Sequence, residues 1–176
     1  MDHIPEIQIR LATIEDATFI ALLGRVTFTE AFGHLFRDHG DLQEYYNKTF
    51  SVQKIRKSLQ KEQNVYWLAL ADGLPVGYAK LKLQSATPFL DRERVCQLQK
   101  IYVLKDFLSL KIGLALQTRL LDKAKSASYD HIWLSVYKEN ERAVRFYLKN
   151  GFKEIGEHKF SIGREHFDFM SMAKKL

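Results

Sequence analysis

The stretch RVCQLQKIYVLKDFLSLKIGLALQTRLL (residues 94–121), followed by HIWLSV (131–136), decides the fold class. Both ends of this segment are rich in β-branched and aromatic residues and predict strands. Between them, apolar side chains at helical spacing predict an amphipathic helix, namely Ile112, Ala115, Leu116, Leu120 and Ala124. A strand, a helix and a strand in this order form a βαβ unit. We therefore expect two parallel strands with a right-handed crossover, and a ligand site beyond their carboxyl ends.

The first of these strands breaks the two-residue alternation of a regular strand. Its apolar positions shift from Leu98 to Ile101 and Val103. One extra residue at Gln99 or Lys100 would explain the shift as a β-bulge, a device that redirects backbone groups beside functional sites. Irregular patterning in a half-buried strand is the alternative explanation.

A loop enters the predicted helix close to Gly113. The free amides and the positive dipole end of a helix N-terminus attract anions, and a glycine lets a pyrophosphate approach the backbone. Lys105 and Lys111 would add positive charge, although most lysines are solvated surface residues. A single glycine before a helix is common, so spacing alone leaves phosphate binding open.

The N-terminal half predicts a strand, several helices and a hairpin. The strand is IQIRLA, and Thr13 with Asp16 forms a helix-start signature. Two further helical segments are DLQEYYNKTF and VQKIRKSLQKE. In VYWLALADGLPVGYAKLKL, two β-rich runs flank Asp72-Gly73, which predicts a hairpin. The first helix takes its apolar face from Ala17, Ile20, Ala21, Phe28, Ala31 and Phe32.

Length and composition indicate one globular domain over residues 1–176. With 46% apolar residues, a chain of 176 residues can bury a sizeable core without disulfides or metals. The single cysteine, Cys96, excludes a disulfide framework and favours a buried, inert thiol in a reducing cytoplasm. We see neither a signal peptide nor an apolar run long enough for a spanning helix, so we expect no membrane association.

The charge of the chain suits a polyanionic partner without identifying it. There are 27 basic and 21 acidic residues, giving a formal net charge of +6. The charge is spread too evenly to decide between nucleic acid and a phosphorylated small molecule. No helix collects its basic residues on one stripe, and no aromatic and basic platform stands out, which disfavours nucleic acid.

The segment YKENERAVRFYLKNGF (137–152) predicts a last helix that carries Phe146 and Tyr147 and stops at Gly151. Buried aromatic residues are most often core anchors. The segments that precede this helix indicate a second, functional interpretation of Tyr147.

The ordered segments LQKIYVL, LSLKIGLAL, IWLSVY and NERAVRFYLKNGF resemble the acetyl-CoA-dependent N-acetyltransferases of the GNAT superfamily. The resemblance covers the whole chain. In addition, TFTEAFG, GEHKFSIG and the closing DFMSM are similar to the bacterial polyamine acetyltransferases of the PaiA type.

This resemblance implies an α/β fold with a GNAT-like mixed, mostly antiparallel twisted sheet. Its central parallel strand pair would be splayed, with helices on both faces. Acetyl-CoA would be the cosubstrate, and its pantetheine arm would lie in the gap. The acetyl group would pass to a primary amine, such as that of spermidine or spermine, by direct attack in a ternary complex without a metal.

The resemblance also assigns roles to individual residues. The backbone of Ile101, Tyr102 and Val103 would hold the pantetheine, while Asn140 at the helix start and Lys149 would face the cofactor. Tyr147 matches the family position whose phenol protonates the departing thiolate. The pyrophosphate would bind the loop and helix start formed by Leu108, Ser109, Leu110, Lys111, Ile112, Gly113, Leu114 and Ala115.

The chain departs from the family pattern at two places. In the phosphate loop motif, Leu108 stands at the Gln/Arg position and Lys111 at the first glycine. We expect cofactor binding to survive because most donors in such a loop are backbone amides. Relatives often place a glutamate base where this chain has Gln97 and Gln99, which cannot take a proton. A water relay or His158 would then serve as the base, although an ordinary strand histidine is the alternative.

The resemblance places the acceptor site near residues 29–46. Carboxylates there would gather a cationic polyamine, whereas ordinary helix surface acids are the alternative. The candidates are Glu30, Asp38, Asp41 and Glu44.

Three other functions stay open at this point. They are acetylation of a protein N-terminus or lysine, a nonenzymatic acyl-CoA-binding regulatory module, and a nucleic-acid binder. The sequence also leaves a homodimer open.

Overall fold

The computed structural model describes residues 3–176, and these form one seven-stranded sheet with helices on both faces. The strand order is β1-β2-β3-β4-β5-β7-β6. Within the described residues, β4 and β5 are the one parallel pair, and all other neighbours are antiparallel. The strands are β1 (Ile7–Leu11), β2 (Asn64–Ala71), β3 (Leu74–Lys82), β4 (Val95–Val103), β5 (His131–Tyr137), β6 (Lys153–Ile162) and β7 (Glu165–Lys175).

Five α-helices connect and cover these strands in the described part of the chain. All the helical segments predicted from periodicity are present, with modest differences at their ends. The helices are α1 (Ala17–Phe32), α2 (His39–Thr49), α3 (Val52–Leu59), α4 (Ile112–Ser126) and α5 (Glu141–Lys149). Short 3₁₀ segments cover Ile14–Asp16, Gly33–Leu35 and Lys105–Leu110.

The predicted helix start at Thr13 and Asp16 is present, one 3₁₀ turn ahead of α1. The Asp16 carboxylate accepts a hydrogen bond from the Thr13 amide at 2.8 Å. It also accepts two from the Arg10 guanidinium, at 2.7 and 2.8 Å. These charge-assisted bonds hold the pKa of Asp16 below its ordinary value and satisfy a carboxylate that is nearly buried.

The core lies on both faces of the sheet, which explains why β2 and β3 carry long apolar runs. Tyr66 and Leu68 of β2 pack toward α1 and α3. Trp67 and Ala69, which point to the opposite face, pack with α4. The predicted hairpin connects these strands, and Asp72 and Gly73 both have positive φ, 48° and 80°. Both angles are those of a two-residue reversal.

The βαβ prediction is also confirmed, and the two parallel strands diverge. The β4–β5 ladder pairs Val95 with His131, Cys96 with Ile132 and Gln97 with Trp133, and then stops. Each strand continues beyond this point, β4 to Val103 and β5 to Tyr137. The diverging halves leave a gap in the middle of the sheet.

The predicted bulge lies at Gln99, immediately before the gap widens. In the β3–β4 ladder, Lys80 pairs with Lys100 while Leu81 pairs with Leu98, so Gln99 has no opposite residue. Gly77 faces Val103 further along, and a Cβ on Gly77 would lie 2.7 Å from the carbonyl oxygen of Tyr102. Close contact with β3 therefore fixes one edge of β4, and its other edge faces the gap.

Cys96 is fully buried, as predicted, and burial raises the pKa of its thiol to about 12. This keeps it protonated and unreactive at neutral pH. Among the helices formed by residues 3–176, none has the length and apolar character needed to span a membrane.

Candidate active site

A cleft of about 920 Å³ opens where β4 and β5 diverge. Its walls come from the gap itself, the start of α4, one side of α5, the C-terminal half of α1 and the β6–β7 hairpin. This volume lies within the usual range of small-molecule sites. The cleft is where the βαβ unit predicted a ligand, beyond the paired ends of its strands.

The three β4 residues predicted to hold the pantetheine line this cleft. Ile101, Tyr102 and Val103 pair with β3 along one edge and have no ladder to β5 along the other. Backbone groups on an unpaired strand edge are free to bond to an extended ligand. The Tyr102 phenol is buried, which raises its pKa to about 12.

The loop before α4 presents a helix N-terminus to one end of the cleft. Lys111 is the N-cap and has a left-handed backbone with φ of 57°. The first amides of α4 have no partner within the helix, as at any helix start. Of the eight residues predicted there, the cleft is lined by Leu108, Lys111, Gly113 and Leu114, whereas Ile112 is buried in the core and Ser109, Leu110 and Ala115 do not line it.

Two contacts that the sequence did not predict hold this loop in place. The Glu30 carboxylate of α1 accepts a hydrogen bond from the Lys105 amide at 2.9 Å. The Arg142 guanidinium of α5 donates to the Leu108 carbonyl at 3.4 Å. Neither pair has a sequence signature, because the partners come from distant elements.

Helix α5 places Tyr147 in the wall of the cleft. The helix begins at the N-cap Asn140, whose side-chain oxygen accepts a hydrogen bond from the Ala143 amide at 3.2 Å. The helix ends at Lys149, and Gly151 follows with φ of 86°, beside the Phe152 amide that bonds back to the Tyr147 carbonyl. The Tyr147 ring packs between Phe146 and Phe152, with centroids 5.3 and 5.6 Å away. Burial raises the pKa of its phenol.

The cleft is therefore lined by two of the remaining predicted cofactor residues as well, Asn140 and the exposed Lys149. Lys149 makes this end strongly basic together with Lys105, Lys111 and Arg142. Glu30 is the one acidic side chain that the described residues contribute to the lining. This end suits a polyanion.

The four carboxylates predicted near the acceptor site do not come together. Asp38 and Asp41 face the β6–β7 turn, where they bond to Arg164. Glu44 forms a surface ion pair with Lys48 at 2.6 Å. These three lie outside the cleft, which agrees with the alternative that they are ordinary surface acids. Glu30 alone lines the cleft.

His158 lies in the cleft and stacks on Phe169, with ring centroids 5.6 Å apart. Its Nδ1 lies 3.4 Å from the Ser171 hydroxyl. Gln99 lines the cleft too, whereas Gln97 does not and instead accepts a hydrogen bond from Ser85.

The far end of the cleft contains a lysine that sequence reasoning missed. Lys100 lies beside the aromatic rings of Phe50 and Tyr102, with its Nζ 4.9 and 5.3 Å from their centroids. Thr27, Phe28 and Tyr45 line the same region. The irregular spacing that predicts the bulge lies next to Lys100. No sequence pattern indicated that the Lys100 side chain would enter the cleft.

Metal ligands do not cluster in the described chain. Among residues 3–176, no group of three or more His, Cys, Asp or Glu side chains is arranged to hold a metal ion.

Comparison with known proteins agrees with this geometry. The sequence model of the acetyltransferase (GNAT) family matches residues 28–152. An N-acetyltransferase of Lactobacillus delbrueckii subsp. lactis is 28% identical over 160 residues, covering 90% of both chains. The spermidine N(1)-acetyltransferase of Thermoplasma acidophilum is 25% identical over 153 residues, covering 84% of this chain and 88% of the relative.

The fold is also shared with solved structures. The PaiA N-acetyltransferase of Thermoplasma acidophilum, solved in complex with coenzyme A, superposes with a TM-score of 0.77. The match has 21% identity and covers 97% of this chain and 99% of that one.

Proposed function

The chain belongs to the GNAT family of acetyltransferases, which makes it an acetyl-CoA-dependent N-acetyltransferase, and we propose that its acceptor is the primary amine of a small molecule. The observation that carries this proposal is the gap between β4 and β5. It joins a basic helix N-terminus at one end to a region lined by aromatic residues at the other. A cofactor arm fits between these ends, and the aromatic region has room for a small amine.

The cofactor half of the site fits acetyl-CoA by the chemistry of its donors. The free edge of β4 at Ile101–Val103 offers amides and carbonyls to the amide-bearing pantetheine arm. The first turn of α4 offers amides and a positive dipole to the pyrophosphate. Lys111 and Lys149 add charge at the phosphate end.

In the reaction, the amine nitrogen attacks the thioester carbonyl, a C–N bond forms, and the C–S bond breaks. Negative charge develops first on the carbonyl oxygen and then on sulfur. The bulge at Gln99 lies where β4 leaves β5, and a backbone amide directed into the gap there would stabilise the oxygen. Holding both reactants in one cleft supplies much of the acceleration.

Tyr147 is the proposed acid that protonates the departing thiolate. Burial raises the pKa of its phenol, so it is fully protonated at neutral pH. A thiol has a pKa of about 8.5, well below that of this phenol. The phenol is therefore a weaker acid than the thiol that it forms, so it gives up its proton only as the C–S bond breaks, and the phenolate left on Tyr147 then regains a proton from the nitrogen of the attacking amine or from water.

His158 is the proposed base for the amine, acting directly or through water. It lies in the cleft, and an imidazole has the right basicity near neutral pH. Gln97 and Gln99 cannot take this role.

A polyamine is the second acceptor candidate, and the relatives favour it. The Thermoplasma relative is a spermidine N(1)-acetyltransferase. Against this, Glu30 is the one carboxylate that the described residues place in the lining, and it already accepts from the Lys105 amide.

The test is release of free thiol from acetyl-CoA across a panel of polyamines, amino acids, aminoglycosides and peptides. We expect turnover with at least one small amine. Tyr147→Phe should lower kcat by about 100-fold with that amine, because the phenol proton is lost while the ring packing remains. Coenzyme A should still bind the variant.

The matched control is Tyr66→Phe, another buried tyrosine, whose hydroxyl bonds to Ser58 outside the cleft. It should leave kcat within a factor of two or so of wild type. Equal rates for wild type and Tyr147→Phe would reject the acid role. Binding of coenzyme A without thiol release on any amine would instead indicate a nonenzymatic acyl-CoA-binding module.

A further inference from the structure

Lys100 brings a cation into the acceptor half of the cleft without a counter-charge. It is only partly exposed, and it follows the bulged Gln99 on β4. Its neighbours in the cleft are neutral, and its Nζ faces the rings of Phe50 and Tyr102. Within residues 3–176 its ammonium group makes neither a hydrogen bond nor an ion pair.

A second lysine makes this region more positive still. Lys80 lies directly opposite Lys100 in the β3–β4 ladder and points to the same face of the sheet. Its Nζ lies 5.4 Å from the centroid of the Tyr66 ring, and it too has no ion pair within the described chain. Burial, followed by the charge of Lys100, lowers the pKa of Lys80 to about 8.

The nearby carboxylates are committed elsewhere. Asp38 and Asp41 bond to Arg164, and Glu44 bonds to Lys48. Glu30 bonds to the Lys105 amide at the phosphate end. No described acidic side chain therefore neutralises the Lys80 and Lys100 pair.

An unpaired ammonium in a poorly solvated site is costly, and aromatic faces offset only part of that cost. The other cleft cations lie at the end proposed for the pyrophosphate, whereas Lys100 stands apart from them beside Thr27 and Tyr45. A negatively charged group on the acceptor would neutralise the ammonium group of Lys100. A polyamine would instead bring more positive charge against two lysines.

We infer that the acceptor carries a carboxylate as well as its amine, as a free amino acid does, and that the carboxylate binds Lys100. This inference rests on the proposed acetyl transfer and opposes the polyamine candidate. Lys100 would then determine specificity by recognising a part of the acceptor that does not react.

The experiment compares acceptors that differ by one carboxylate. Ornithine and putrescine form such a pair, as do lysine and cadaverine. With the wild-type protein we expect kcat/KM for the amino acid to exceed that for the matching diamine by 10-fold or more, because a charge-assisted bond is lost in the diamine.

Lys100→Met removes the charge with a similar side-chain volume and one atom less in length. We expect it to abolish the preference, mainly by raising KM for ornithine while leaving KM for acetyl-CoA unchanged. Lys123→Met, at an exposed position near the end of α4, is the control and should keep the wild-type preference.

A binding measurement supports the kinetic one. In the presence of coenzyme A, ornithine should raise the Tm of the wild-type protein more than putrescine does, and Lys100→Met should remove the difference. If kcat/KM of the wild-type protein for putrescine equals or exceeds that for ornithine, the inference is overturned. A polyamine is then the favoured acceptor. Failure of ornithine both to react and to bind overturns it as well. Thiol release with any other amine would still support the proposed function, so the two failures are distinguishable.

Discussion

Lys111 has a backbone conformation that glycine adopts without strain. Its φ is 57°, and it forms the N-cap of α4 at the position where the family resemblance predicts the first glycine of a phosphate loop. The left-handed region costs a residue with a Cβ about 1 kcal/mol or more. Lysine at this position therefore adopts a left-handed backbone at the cost of conformational strain. Its ammonium group adds positive charge to this end of the cleft.

Replacing Lys111 by Gly and by Ala separates strain from charge. Both variants remove the ammonium group, but only Gly relieves the left-handed strain, so Lys111→Gly should be more stable than Lys111→Ala by about 1 kcal/mol. Urea denaturation measures this difference. Both variants should bind coenzyme A equally and somewhat more weakly than wild type. A more stable alanine variant would contradict the conformation at this residue.

Tyr147 and Lys100 differ in how far the sequence alone predicts their place in the cleft. Tyr147 was assigned from a resemblance, and the structure places it in the cleft wall between two rings. The sequence does not predict a site role for Lys100, because a lysine in a strand is usually a surface residue. Its place in the cleft depends on the direction that the bulge gives to the chain.

Helix α5 links the stability of the fold to the geometry of the cleft, because it carries Tyr147 and its N-cap is Asn140. The cap bond to the Ala143 amide fixes the first turn, and Gly151 with Phe152 fixes the last. The position of the phenol thus depends on both ends of a nine-residue helix.

Asn140→Ala should destabilise the fold by about 1 kcal/mol, because it removes the cap. Asn140→Ser restores a capping oxygen with a shorter side chain, so stability should return. If Asn140 also contacts the cofactor, KM for acetyl-CoA stays raised in Asn140→Ser. Urea titrations and initial rates of both variants measure these effects. A serine variant that recovers both stability and KM would limit Asn140 to capping.

The whole molecule is needed to make the cleft, because its walls come from helices and strands across the chain, from α1 to β7. The β4 and β5 strands pair over three residues at one end and diverge beyond them, where α1 and α5 contribute to the lining of the cleft. The unfolded chain has no such site. Ligand binding and folding are therefore coupled.

Coenzyme A at 100 times its Kd should raise the free energy of unfolding by about 2.7 kcal/mol. For a chain of this size that corresponds to an increase in Tm of about 5 to 10 °C. Thermal unfolding followed by circular dichroism measures it, with adenosine as the control that lacks the phosphates and the arm. An unchanged Tm at millimolar coenzyme A would contradict the cleft assignment.

The sequence by itself determined the elements and their local order. Periodicity marked the helices, Asp72-Gly73 marked the hairpin, and the slip at Gln99 marked the bulge, because each depends on neighbours within a few residues. The βαβ pattern further predicted the parallel pair. The family resemblance then predicted the divergence of β4 and β5, which the structure shows, and the role of Tyr147, which stays a proposal.

Only the tertiary structure decided which charges share the cleft. It placed Asp38, Asp41 and Glu44 outside the cleft and brought Lys100 into it. Side-chain direction at a sheet gap depends on the register of β3 against β4 and on helices far apart in sequence. The physical reason is that a charge is neutralised by its neighbours in space, and spacing along the chain does not encode those neighbours.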